Sequence, residues 1–167
     1  MEPEMTKDKS TPADKTGGAV YNMPDESPGF QLAERAGWHL LEKKAADLAV
    51  LDLRGVSDVC DFFVLGSGSS AIQVNALAKH LHNELLAAGH KPKGTEGMND
   101  GRWALLDFFD VVVHVFHTEA RDYFQLDRLW SDAPRLELEP DWFNSPQTAE
   151  RHPDLKFTTI GGAPGAD

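Results

Sequence analysis

The stretch "DVVVHVF", residues 110–116, decides how the rest of the chain is read. It is rich in β-branched residues and free of Gly and Pro, so it reads as a strand, and strands send alternate side chains to opposite faces. Val111, Val113 and Val115 share one face, while Asp110, Val112, His114 and Phe116 share the other. The first is a plain core face. The second sets a carboxylate and an imidazole into an apolar row. Four readings are open for it: a catalytic pair, a metal site, a satisfied core pair, or a surface made for another macromolecule.

Working outward, "RWALLDF" (102–108) lies just upstream and pairs with this strand as an antiparallel hairpin. "LAVLDL" (48–53) and "DFFVLGS" (61–67) are further strand-length apolar runs, joined by "RGVSDV", whose Gly and Asp suit a tight connection. Helical spacing links Ala33, Ala36, Leu40, Leu41 and Lys44, with Trp38 and His39 flanking the stripe. "GSGSS" (66–70) ends a strand and opens a helix at Ser69 or Ser70. That helix presents Val74, Leu77, Ala78, Leu81 and Leu85, and Gly89 is placed to end it. "HKPKGTEGMNDG" (90–101) reads as a long loop. "TEARDYFQLDRLW" (118–130) reads as one last helix capped by Thr118, with Tyr123, Leu126 and Trp130 on one face.

The element order α-β-β-α-β-β-α predicts an α/β (α+β layered) fold, a mixed sheet with helices packed on it. Residues 1–28, with four prolines and few large apolar side chains, read as a disordered extension. The domain proper is placed at 29–131, and 132–167 reads as an acidic, Pro- and Gly-containing flexible tail.

With 167 residues, 41% of them hydrophobic, the chain suits one domain with extensions. The net charge of −11 is shared along the chain, −3 over 1–29, −4 over 30–130 and −4 over 131–167. No basic stripe emerges, which argues against direct sequence-specific nucleic-acid binding and favours a basic protein partner. No apolar run approaches the ~18–20 residues of a membrane span, and "MEPEMTKDKS" carries no signal or transit pattern. A cytoplasmic location is expected. Cys60, the lone cysteine, has no basic neighbour in sequence to activate it and reads as partly buried and structural.

The chemistry-bearing residues do not assemble into a catalyst. "GSGSS" lacks the spacing and lysine of a phosphate-binding loop, and no Asp-x-Asp or Asp-x-Glu pair for Mg²⁺ is found in the next helix or strand. Glu137 and Glu139 have that mutual spacing but sit far downstream. His80 and Glu84 share a helix face with no third ligand in view, His82 points elsewhere, and His39, His90 and His117 read as isolated surface residues. Asp110 and His114 lie ~13 Å apart along a strand, too far to pair. No metal, cofactor or catalytic residue is expected, and His114 reads as making one structural hydrogen bond. Trp103, Tyr123 and Trp130 serve either the core or an interface.

Residues 30–131 resemble the ribosomal silencing factors, also called Iojap-like proteins. The resemblance runs through "KKAADLAVLDLRGVSDVCDFFVLGSGSS", the helix after it, "EG" (96–97), "RWALLDFFDVVVHVF" and "RDYFQLDRLW". It implies a nucleotidyltransferase-like fold without the catalytic carboxylates. It also implies binding to the large ribosomal subunit, on the conserved intersubunit-face protein fourteenth in large-subunit naming, where the factor blocks joining of the small subunit under nutrient limitation. The alternatives are a large-subunit assembly factor with the same partner and an enzyme using the Gly66–Ser70 loop; some members of the family are homodimers. Joined to the strand reading, the resemblance places partner contacts at Glu96, Trp103, Asp110, Val112, His114, Phe116, Tyr123 and Trp130. Phe116→Asp or Trp103→Ala is then expected to abolish association and leave the fold intact. The family often has Gly where this chain has Phe109, which implies a differently shaped turn or an aromatic at its tip.

Overall fold

Ser27 caps the first helix in the computed structural model, which describes residues 26–157. Almost all of the extension expected over 1–28 lies outside the described residues. The Ser27 hydroxyl accepts the Phe30 amide hydrogen at 3.1 Å, and Pro28 presets the first turn, so α1 runs Pro28–Glu42. It buries Ala33, Ala36 and Leu40 of the expected stripe, with Phe30 beside them, whereas Leu41 is half-buried and Lys44, past the helix end, is exposed. Trp38 and His39 are buried too, because α1 is packed on more than one side.

β1 (Ala46–Asp52) turns back into β2 (Phe62–Gly68) as an antiparallel pair. Ser70 caps α2 (Ala71–Ala87) by accepting the Gln73 amide at 3.0 Å. Gly89, at φ +95°, ends the helix: its amide donates to Leu86 and that of His90 to Leu85, the paired bonds of a Schellman motif. The segment read as a loop contains a short strand, β3 (Gly94–Glu96), paired with β4 (Trp103–Asp107). β4 and β5 (Val111–His117) form the expected hairpin. Phe109 at its tip takes φ +76° and is 63% exposed, so an aromatic occupies a backbone conformation that glycine favours.

The six described strands form one mixed sheet in the order β3-β4-β5-β2-β1-β6, with β2 and β5 parallel at its centre. Val111, Val113 and Val115 lie in the larger core with Val64, Leu106 and the apolar sides of α1 and α2. Val112 and Phe116 lie in a second core on the opposite face, with Phe63, Leu65, Ala120 and Leu126.

Two expectations are corrected. The last helix is broken into α3 (Thr118–Phe124) and α4 (Leu126–Leu129) by Gln125, which adopts φ +52°. His117 rather than Thr118 is the cap, and the Thr118 hydroxyl instead donates to the Gly68 carbonyl at 3.0 Å. The break dissolves the expected common face: Leu126 is buried, Trp130 half-buried, and Tyr123 75% exposed.

The segment after 131 is also folded as far as Phe157. β6 (Arg135–Glu137) adds to the edge of β1, a 3₁₀ turn comes next at Pro140–Asn144, and α5 spans Pro146–Arg151. Leu138, Phe143 and Phe157 join the larger core, the last two packing on the Trp38 ring at 5.5 and 4.5 Å. A fully buried carboxylate, Glu34, fixes this segment to α1 through Arg151 (2.6 and 2.8 Å), His152 (2.8 Å) and the Trp142 indole (2.6 Å). Burial pushes the Glu34 carboxyl up, but the bonds from Arg151, His152 and Trp142 outweigh it and hold it below the usual carboxylate range. Anchors scattered this widely leave no periodic pattern, which is why the segment reads as tail in sequence.

Candidate functional site

Among the described residues the two sheet faces are covered unequally. α1, α2 and the C-terminal segment blanket one, whereas the other has only the short α3 and α4. Trp103 and Leu105, alternate residues of β4 on the thinly covered face, stay half-buried beside the sheet edge. Next to them is a groove of about 460 Å³ lined by Glu96, Gly97, Asp100, Arg102, Trp103, Leu105 and Phe124.

The Trp103 indole is held in place from several directions. Its ring lies 4.9 Å from Phe116 and 5.0 Å from Phe124, and its N–H donates to His114 Nδ1 at 3.1 Å. That single bond is the one expected for His114, which fixes the proton on Nε2, an atom buried with no partner. Burial pushes the His114 pKa down to about 4, so the ring is neutral and accepts from Trp103 at physiological pH. Gly97, at φ +69°, lies so close to the Trp103 carbonyl that an added Cβ would collide with it. The Arg102 guanidinium sits 5.7 Å from the Phe124 ring.

The residues expected to make contacts are therefore divided. Glu96 and Trp103 line the groove, and Tyr123 stands exposed beside Phe124 at 5.0 Å. Val112, His114 and Phe116 are 7%, 4% and 0% exposed and lie on the face of the second core rather than in a free row, with His114 and Phe116 packed against Trp103. Trp130 packs edge-on against Phe63 at 5.6 Å. Asp110 is exposed but belongs to the other end of β5, where its carbonyl accepts from Asp61 and Phe62. Sequence reasoning missed Leu105, Arg102 and Phe124. Alternation in "RWALLDF" already sets Leu105 beside Trp103, whereas Phe124 needed the break at Gln125, which nothing in the sequence announces.

Cys60 is buried, as expected, and burial pushes its thiol up to about 11, so it is protonated and unreactive at neutral pH. Among the described residues no helix is long and apolar enough to cross a membrane. His39 is not the isolated surface residue that was expected: α1 and α2 bring it and Glu42 beside His80.

Fold and groove together define a class, a single-sheet α/β domain with one face left half-open beside clustered aromatics. Comparison with known proteins makes that class specific. The family described as "Ribosomal silencing factor during starvation" matches residues 24–159, and the chain belongs to it. The chain is 42% identical over 98 residues to the ribosomal silencing factor of Bacillus subtilis, 59% of this chain and 83% of that protein. It is 31% identical over 138 residues to the chloroplastic Iojap protein of Zea mays, 81% of this chain and 57% of that one. A more distant relative, 27% identical over 95 residues (55% of this chain, 42% of that one), is the mouse "Mitochondrial assembly of ribosomal large subunit protein 1". Among solved structures, a protein of Chromobacterium violaceum is similar at a TM-score of 0.59 and 33% identity, covering 61% of this chain and 85% of that one. A Bacillus halodurans protein is similar at 0.55 and 41%, covering 65% and 95%.

Proposed function

We propose that this protein represses translation by binding the large ribosomal subunit and sterically blocking the small one. The docking surface is the thinly covered sheet face, with Trp103, Phe124 and Tyr123 as anchors and Glu96 at the rim. The partner is the basic intersubunit-face protein that is fourteenth in large-subunit naming. One observation carries the reading: in a chain of this family, an aromatic cluster beside a groove lies on the sheet face that the fold leaves half-covered. Aromatic side chains at the centre of a patch are the usual source of binding energy, and the net charge of −11 favours encounter with a basic surface. His114 and Phe116 act from below by fixing Trp103. No step of this mechanism calls for a catalytic group or cofactor, because bulk alone excludes the second subunit.

Phe116→Asp is not a test of docking, since it would bury a charge in the second core and unfold that face. Phe124→Ala and Tyr123→Ala change exposed rings and suit the purpose. Either is expected to weaken co-sedimentation with purified large subunits by roughly tenfold or more, as loss of an interface anchor does, with circular dichroism unchanged. Wild-type co-sedimentation of the double variant would place the docking surface elsewhere.

A further inference from the structure

α1 ends beside the middle of α2, and three side chains with metal-binding chemistry meet there. His39 Nδ1 lies 2.8 Å from Glu42 Oε1, and His80 Nε2 lies 3.0 Å from the same oxygen. The three ligand atoms all fall within 4.8 Å of one another. We propose that His39, Glu42 and His80 form a binding site for a divalent transition metal of the Zn²⁺ type, which clamps the end of α1 to α2.

Two imidazoles and a carboxylate are a recognised zinc donor set, with the fourth position left for water or another ligand. Glu84, one turn beyond His80, acts on His39 through its charge but is outside the set of close ligand atoms, so the fourth position falls to water. A tetrahedral ion with bonds of ~2.0 Å sets its ligand atoms roughly 3.3 Å apart, so rotation of the His80 ring by ~1–2 Å closes the set. His39 is 2% exposed and already fixed, as a first ligand must be, whereas Glu42 and His80 reach solvent and provide an entry path. Both protonation states suit an ion. Burial pushes His39 down, towards the neutral form that ligates; the bonds from His39 and His80 outweigh burial at Glu42 and keep it ionised. The site lies on the helix-covered side of the sheet, away from Trp103, so it stands or falls independently of the docking surface.

Titration of the full, untagged chain with Co²⁺ tests this directly. The expected result is saturable 1:1 binding, with the visible absorption of a four- or five-coordinate ion, displaced by Zn²⁺. His80→Ala and Glu42→Gln should each weaken binding by about 100-fold or more, since loss of a direct ligand costs at least as much as loss of an outer-shell partner. His82→Ala, on another face of the same helix, should bind as wild type. Zn²⁺ should also raise the melting temperature of wild type but not of His80→Ala. Absence of saturable binding in wild type, or equal binding by His80→Ala, would overturn the proposal.

Discussion

His114 shows how one polar residue serves an apolar face. Asp110 and His114 share a strand face in the sequence but lie too far apart along it to pair; the fold puts Asp110 just before β5 and His114 at its middle, with separate partners. The hydrogen bond from Trp103 explains the buried imidazole and gives it a measurable signature. Its folded pKa of about 4 is depressed from the usual 6.5, so the unfolded chain binds the extra proton between those values. The stabilising contribution is complete above pH 6.5 and is lost as pH falls towards 4, by roughly 3 kcal/mol in all. His39, also pushed down by burial, adds to the same slope. Denaturant unfolding between pH 7 and 4 should therefore show a shallower loss for His114→Phe than for wild type. Equal slopes would mean that His114 is not buried neutral. The bond itself was legible as a reading, since a lone histidine in an apolar row needs a partner; its donor was not, because Trp103 reaches it across the hairpin.

At the level of elements, the strands and the two long helices were legible because each carries its own signal: alternation in β5, a serine cap and glycine stop on α2, a 3.6-residue stripe on α1. The last third was not. β6 is three residues long and α5 six, too short for any period to show, and both owe their place to partners distant in sequence, Leu51 to Ala49 for β6 and Glu34 for α5. Glu34 is the clearest case, a charge inside an apolar helix stripe whose meaning lies in Arg151 and His152. Glu34→Ala would leave the Arg151 guanidinium, 8% exposed, without the buried carboxylate it pairs with. Breaking a buried pair in this way costs about 3–5 kcal/mol. Limited proteolysis should then cut between 132 and 157 in the variant under conditions where wild type resists. Equal resistance would show that the apolar anchors Leu138, Phe143 and Phe157 hold the segment alone. The broken α3–α4 corner was misread for a related reason, since Gln125 carries no sequence mark of a left-handed residue, and yet this corner sets Phe124 on Trp103.

For the whole molecule, the asymmetry of the sheet matters most. Among the described residues one face is sealed by α1, α2 and the C-terminal segment, and the other is left with two short helices, half-buried aromatics and a groove. The proposed docking on a basic surface, and the steric exclusion that would follow, rest on this asymmetry in an acidic chain of a family named for silencing ribosomes. The proposed silencing role and an assembly role would share the binding step and differ in its consequence. The most direct measurement is subunit joining: purified large and small subunits mixed at the Mg²⁺ concentration that favours association, with the protein in excess, and resolved on a sucrose gradient. Steric silencing predicts that the protein sediments with the large subunit and that the full-ribosome peak falls, with Phe124→Ala restoring it. A full-ribosome peak of undiminished height while the protein rides on the large subunit would contradict it.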